Sequence, residues 1–182
     1  MSVIHQVPMC RQLIPAEEWE QHGGWALGNR LEWSDRACGM AALRMILLAS
    51  TGTSPSVTEL LKLGEKRGAR VERGWVHAAI ANLAREFGVV GEAQPVPAEE
   101  LGQRLTDAPM IISVSEQFPE DGRRGGHLVV ARGYETEAVP TVHFRDPSRW
   151  GQTHDRLPLS RVAASYSGRA ITFEPLTRRG EA

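Results

Sequence analysis

Three residues of this chain have side chains that could cooperate in acyl chemistry: Cys38, His127 and Asp146. Cys38 opens the run Cys38–Ser50, in which Met40–Leu43 and Met45–Ala49 cover nearly the whole circumference of a helix. A thiol at the start of a buried helix faces unpaired backbone N–H groups and the positive end of the helix dipole. Both favour the anionic form, which is the nucleophile. Position alone leaves the alternative of a small packing cysteine. His127 and Asp146 add weight through the strands that carry them. If His127–Tyr134 pairs antiparallel with Val139–Asp146 through Glu135–Ala138, His127 stands directly opposite Asp146. Opposed residues have Cβ atoms roughly 5 Å apart, close enough for a carboxylate to orient an imidazole. Alternation then puts Val129, Ala131, Val142 and Phe144 on the same side, an apolar face on which the buried helix would pack. Pro140 cannot donate to the ladder and lengthens the loop about the same centre. His143 points to the other face, which weakens it as a rival base.

Other reactive residues fit no second site. Cys10 lies in an irregular segment without a nearby histidine and reads as an inert thiol. His5, His22, His77, His143 and His154 show no short ligand spacing with Cys, Asp or Glu, so neither metal nor other cofactor is expected. His77, beside Val76 on a helix, reads as half-exposed. Gly122–Gly126 is glycine-rich but lacks the Lys-Ser/Thr of a phosphate loop and precedes a strand. It reads as a mobile loop or an active-site flap beside His127.

The positioning elements follow from period and punctuation. Ser34 or Asp35 is placed to cap the Cys38 helix and Gly52 to end it. Ser56 and Glu59 have the spacing of a capping box for a second helix running to about Gly68. Val76, Ala79, Ile80, Leu83, Ala84 and Phe87 mark a third, with Gly88 as its stop, and Ala98–Leu105 a short fourth. Pro109–Ser115 and Arg169–Glu174 join the two strands above. The first 33 residues, with Gly23, Gly24, Gly28, Trp19, Trp25 and Trp33, read as an irregular segment able to cover a cleft. Helices first and antiparallel strands later make an α+β arrangement, expected as a single domain over residues 1–182.

Composition narrows the function classes. The chain has 182 residues, 41% hydrophobic and 24% charged, as an ordinary globular protein has. Lys+Arg is 21 against Asp+Glu 22, a balance that argues against a nucleic-acid partner. The apolar stretch Met45–Ala49 falls far short of the roughly 20 residues of a membrane span. Met1–Pro15 has neither the basic start nor the apolar block of a secretory signal, and two cysteines make no disulfide framework. A reducing, cytoplasmic setting is expected. Nothing in the pattern speaks to oligomeric state.

Four blocks carry a family resemblance. Asp35-Arg-Ala-Cys-Gly-Met-Ala-Ala-Leu-Arg-Met-Ile-Leu47 resembles the cysteine block of the papain-like peptidases that trim double-glycine leaders from bacteriocins, and of their stand-alone relatives. Gly125-Gly-His-Leu-Val-Val-Ala-Arg-Gly-Tyr134 is similar to the family's histidine block, and Val142-His-Phe-Arg-Asp-Pro147 to its Asp-Pro strand. Pro109-Met-Ile-Ile-Ser-Val114 resembles the strand before the histidine. The resemblance implies a papain-like fold, a helical half facing an antiparallel sheet across a cleft. It implies Cys38 as nucleophile, His127 as general base and Asp146 as its orienter. The family usually has a glutamine about six residues before the cysteine, donating to the oxyanion, where this chain has Glu32. A carboxylate donates only when protonated. Asn29, Ser34 and the backbone N–H of Cys38 are candidates for that role, with Gln12 or Gln21 if the N-terminal segment folds back. Met40 stands where the family often has proline. Trp33, Trp75 and Gly126 are candidates for lining the substrate cleft. The function so implied is a cysteine peptidase or amidase acting on a peptide, such as a leader-bearing precursor, through a thioester. The same triad serves acyl transfer or cyclisation, and the same fold can hold a peptide without cutting it.

Overall fold

The computed structural model describes residues 2–175. Its elements, in chain order, are β1 (Ser2–Ile4), α1 (Ala16–Gln21), α2 (Arg30–Asp35), α3 (Cys38–Thr51), α4 (Val57–Lys66), β2 (Arg70–Val71), β3 (Gly74–Trp75) and α5 (His77–Glu86). There follow β4 (Gly91–Pro95), α6 (Leu101–Arg104), β5 (Met110–Val114), β6 (His127–Glu135), β7 (Thr141–Arg145), β8 (Arg156–Pro158), α7 (Leu159–Ser165) and β9 (Tyr166–Phe173). The α+β order read from the sequence holds.

Helix α3 is central because it is apolar on every side: Met40–Leu43 and Met45–Leu47 have no solvent exposure. Gly52 ends it in the left-handed region at φ 78°. Its start differs from expectation. Ser34 and Asp35 do not cap it but close the preceding helix α2, whose own cap is Asn29. Ala37 stands at the N-cap of α3 with no side-chain bond, so the N–H groups of its first turn stay available. Helix α4 has the expected box: Ser56 Oγ accepts from Glu59 N at 3.1 Å, and Ser56 N donates to Glu59 Oε2 at 2.8 Å. Val76 is not on the apolar face of α5. It caps the helix, 38% exposed, because its N–H is taken by Ala69 O at 2.9 Å.

The first 33 residues, read as irregular, hold β1, α1 and the first turn of α2. Elements of three and six residues are too short to show a period. β1 pairs with the end of β6, Ser2 opposite Glu135 and Ile4 opposite Gly133.

The main sheet runs β4-β9-β5-β6-β7-β8, with β1 beside β6. One face presents Ile111, Leu128, Val130 and Ile171 to the cluster containing α3, α4 and α5. Val129, Ala131, Val142 and Phe144 share the other face with Leu101, Leu105 and Val162. The alternation was legible, but the assignment of α3 to the Val129–Phe144 face is overturned: α3 packs on the opposite side.

The β6–β7 register is also corrected. Val130 pairs with Arg145 rather than His143, two residues beyond the expected register, and Glu135 pairs with Thr141. A bulge between Ala131 and Gly133 shifts the ladder, and Pro140 lies outside it. Continuing this register past the bulge carries the position facing His127 beyond the end of β7. Asp146 is therefore not a cross-strand partner of His127, and any contact must come from the turn that follows the strand.

Candidate active site

That turn supplies the contact. Asp146 leaves β7 and folds back so that its Oδ1 accepts the Ser148 N–H at 2.8 Å, an Asx turn, and His127 Nε2 at 2.7 Å. Asp146 has no exposure and His127 only 3%. With Nε2 on the carboxylate, Nδ1 is left for Cys38, whose side chain lies close enough to the ring to raise its pKa. Burial opposes a charge on His127, but the bonds to Asp146 and Cys38 and their negative charges outweigh it and push the imidazole up to about 10. Burial likewise opposes charge on Asp146, yet the His127 bond and charge, with the Ser148 N–H, hold its carboxyl below the ordinary value. The structure thus brings together Cys38, His127 and Asp146, from a helix start, a strand start and a turn.

The approach to His127 is fixed by backbone geometry. Gly125 and Gly126 have φ of 72° and 97°, a region that side-chain-bearing residues rarely adopt. Gly125 N donates to Ser165 O at 3.0 Å, Ser115 Oγ to Gly125 O at 3.1 Å, and Arg124 to Ala163 O and Tyr166 O at 2.8 and 3.0 Å. These bonds tie Arg124 and Gly125 to α7 and β9, so this end of the Gly122–Gly126 segment, read as a mobile loop or a flap, is anchored beside His127.

Half-buried Cys38 opens onto a cleft of about 370 Å³. Gly126 and Trp75 line it, together with Leu128, Ser113 and His77. Trp75 is held by its indole N–H on Arg36 O at 2.6 Å and lies against Gly39, where a Cβ would come within 2.7 Å of the ring. Trp33 is not among the lining residues. Its indole donates to Leu27 O at 2.9 Å, and the guanidiniums of Arg70 and Arg36 lie 5.2 and 5.8 Å from its ring centre. No lining residue comes from the first 33, so that segment does not cover the cleft. It braces the site from another side: Arg145 Nε donates to Val7 O at 3.1 Å and Gln12 N to Pro147 O at 2.9 Å.

The oxyanion candidates separate by what their side chains already do. Asn29 Oδ1 caps α2, accepting from Leu31 N and Glu32 N. Ser34, 2% exposed, accepts Ile14 N at 3.1 Å, and Glu32 is exposed. Gln12 is different. Its Nε2 lies 3.2 Å from Ser34 O and 3.5 Å from Asp35 O, on the turn that leads into Cys38. No local spacing announces this, because α1 and α2 intervene between Gln12 and Cys38. Gln21 ends α1. Sequence reasoning also passed over Ser113 and placed His77 on a helix without linking it to the cleft.

The rival groups lie elsewhere. His143 is buried against Glu135 Oε2 at 3.2 Å. Cys10 is buried, and burial pushes its thiol up. Trp150 packs with Phe118 and Phe144 and stacks on His154 at 3.9 Å. Among the described residues no group of three His, Cys, Asp or Glu side chains is set to hold a metal ion, and no helix is long and apolar enough to cross a membrane.

Comparison with known proteins agrees with this geometry. The model of the Peptidase_C39 like family matches residues 4–170. No curated protein sequence matches the chain. Among solved structures, a double glycine motif protease from an AMS/PCAT transporter, in complex with the leader peptide, superposes with a TM-score of 0.62 at 19% identity, over 95% of this chain and 94% of that one. The peptidase domain of Streptococcus ComA, a bifunctional ABC transporter involved in quorum sensing, gives 0.60 at 21% identity, over 78% of this chain and 93% of its own. The papain-like fold is shared with both.

Proposed function

This chain belongs to the Peptidase_C39 like family, and from that premise we propose that it is a cysteine peptidase that cuts a peptide through Cys38, His127 and Asp146. The observation that carries the reading is the buried bond of the His127 ring to the Asp146 carboxylate, with the half-buried Cys38 side chain near enough to act on the same ring. His127 takes the thiol proton, and the sulfur attacks the carbonyl carbon of the scissile peptide bond. His127, as imidazolium, then returns the proton to the leaving amine, leaving a thioester on Cys38. Water, deprotonated by His127, attacks the thioester and releases the acid and the free thiol. Asp146 fixes the ring so that Nδ1 faces the sulfur, and favours the imidazolium formed on the way.

The developing oxyanion needs N–H donors. The backbone N–H of Cys38, in the uncapped first turn of α3, is one. For the second we propose the Gln12 amide: it stands before Cys38, donates now to Ser34 O and, at the longer 3.5 Å, to Asp35 O, and has to turn the second N–H from Asp35 O to the oxyanion. Asn29 and Ser34 are committed to α2 and Ile14. Trp75 and Gly126 bound the path of the bound peptide.

The substrate class we favour is a leader-bearing peptide precursor. In support, the fold is that of a domain solved with its leader peptide bound. The whole of residues 1–182 acts as one domain in this reading. Its setting is the reducing cytoplasm, where Cys10 and Cys38 stay free thiols as they are here. The test is product mass. A synthetic precursor with a double-glycine junction should give two fragments that together gain one water, and Cys38→Ala should give none. A condensed product would reassign the chemistry to acyl transfer. Binding without turnover by the unmodified protein would leave only a peptide-holding domain.

A further inference from the structure

Ser113 is a buried polar side chain of the cleft whose chemistry the mechanism leaves unused. It stands on β5 opposite Leu128 of β6, is 6% exposed, and lines the cleft with Cys38, Gly126 and Leu128. Its hydroxyl has no hydrogen-bond partner among the described residues. A hydroxyl that opens onto the cleft without a protein partner is met by solvent, which a ligand group can displace.

The sheet opens at this residue. β9 pairs with β5 at Ile112–Ala170 and again at Val114–Tyr166, so Ser167, Gly168 and Arg169 together oppose Ser113 alone. A bulge of this kind breaks the ladder and re-aims side chains. Ser167 is its near wall: a Cβ placed on Gly125 would lie 3.2 Å from both Ser113 Oγ and Ser167 Cβ. Arg169 is exposed, with no carboxylate within ion-pair distance among the described residues. His77, the first residue of α5, lines the same cleft. Burial and the charge of Arg169 hold its imidazole below the ordinary value, so it is neutral at pH 7 and can donate one N–H. The positive N-terminal end of α5 adds to the same field. The carboxylates that line the cleft, Asp35 and Glu72, come from the end of α2 and the β2–β3 hairpin rather than from this wall.

We propose that the recess where β9 bulges away from Ser113 is a side-chain subsite that selects an acidic residue, Asp or Glu, of the peptide lying across Cys38, with Ser113 and His77 as its donors and Arg169 as the nearby positive charge. The inference rests on the reading that a peptide occupies this cleft, and it adds a requirement that a double-glycine junction alone would not impose. A carboxylate accepts from the Ser113 hydroxyl and the His77 N–H under the field of Arg169. Alanine at that position leaves both donors unmet, and asparagine meets them without the charge.

The experiment scans one leader-junction peptide, placing Ala, Asn or Asp in turn at each of the four positions before the junction. Binding to the Cys38→Ala protein is measured by calorimetry, and cleavage by the unmodified protein in parallel. One position should bind Asp about 10-fold more tightly than Ala, the scale of a charge-assisted hydrogen bond. Ser113→Ala in the same background should cut that preference below about threefold while leaving the Ala peptide's affinity within about twofold. Arg169→Gln should remove the preference for Asp over Asn and keep that for Asn over Ala. A scan with no acidic preference, or a preference that survives both substitutions, overturns the subsite. Cleavage without acidic preference would sink the subsite and keep the peptidase. An acidic preference without cleavage would do the reverse.

Discussion

Replacing Asp146 by asparagine isolates the electrostatic part of the proposed triad, since the side chain keeps its shape and loses its charge. His127 sits at about 10 against an ordinary 6.5, a difference worth about 5 kcal/mol in favour of the imidazolium at 1.36 kcal/mol per pH unit. Asp146 and Cys38 share that gain, and both must overcome the burial that pulls the other way. With the carboxylate gone, burial and Cys38 remain, and the His127 midpoint should fall by about 2 units or more. The introduced asparagine can also turn its NH₂ toward Nε2, which puts the ring proton on Nδ1, the wrong tautomer to accept from sulfur. By analogy with a triad that loses its carboxylate, kcat should drop roughly 100–10,000-fold. The sign of the pH effect follows from the raised midpoint. The stability that His127 contributes is full below pH 6.5 and is lost as pH rises through about 10. Asp146→Asn should therefore weaken the protein most below pH 6.5 and flatten its alkaline loss of stability. The assay is a ¹⁵N-histidine titration with thermal melts across pH 5–10. A His127 midpoint within half a unit of the unmodified protein's, with kcat intact, would refute the reasoning.

Other outcomes follow from single contacts. Cys38→Ala should abolish turnover yet shift the melting temperature by only a few degrees, because the side chain lost is small and half-buried. Gly39→Ala forces a methyl group to within 2.7 Å of the Trp75 ring and should cost about 1–3 kcal/mol in denaturant unfolding. Gln12→Ala should lower kcat roughly 100-fold or more with KM changed little, as loss of an oxyanion donor does; equal losses in a peptide-binding assay would reassign Gln12 to a structural role. Ser56→Ala removes one half of the α4 capping box and should cost about 1 kcal/mol with no effect on kcat.

Much of the scaffold was legible because strong local signals agreed with the tertiary structure. The all-round apolar run of α3, the Ser56–Glu59 box and the left-handed glycines Gly52 and Gly88 are each sufficient by themselves. The hairpin carrying the histidine was placed by its period, but its register was not, since Pro140 and a bulge at Arg132 move the ladder without marking the pattern. His127 and Asp146 meet for a reason other than the one the strands suggested: an Asx turn, not an opposed pair. The face against α3 was misassigned because both faces of the sheet are apolar, and alternation alone cannot say which one a helix covers. Gln12 could be named only on the condition that the N-terminal segment folds back, and Ser113 not at all, for a similar reason. One reaches the site through an N-terminal segment held by β1 and Pro147, the other through a bulge between strands distant in sequence.

The proposed mechanism depends most on His127 acting on the Cys38 sulfur. The direct measurement is the rate of Cys38 carbamidomethylation by iodoacetamide at pH 6.5, followed by peptide mass spectrometry, in the unmodified protein and in His127→Ala, with buried Cys10 as the internal reference. The predicted result is labelling of Cys38 that falls about 10-fold or more on loss of the imidazole, as expected for a thiol activated by an adjacent base. Equal Cys38 rates in the two proteins would contradict it.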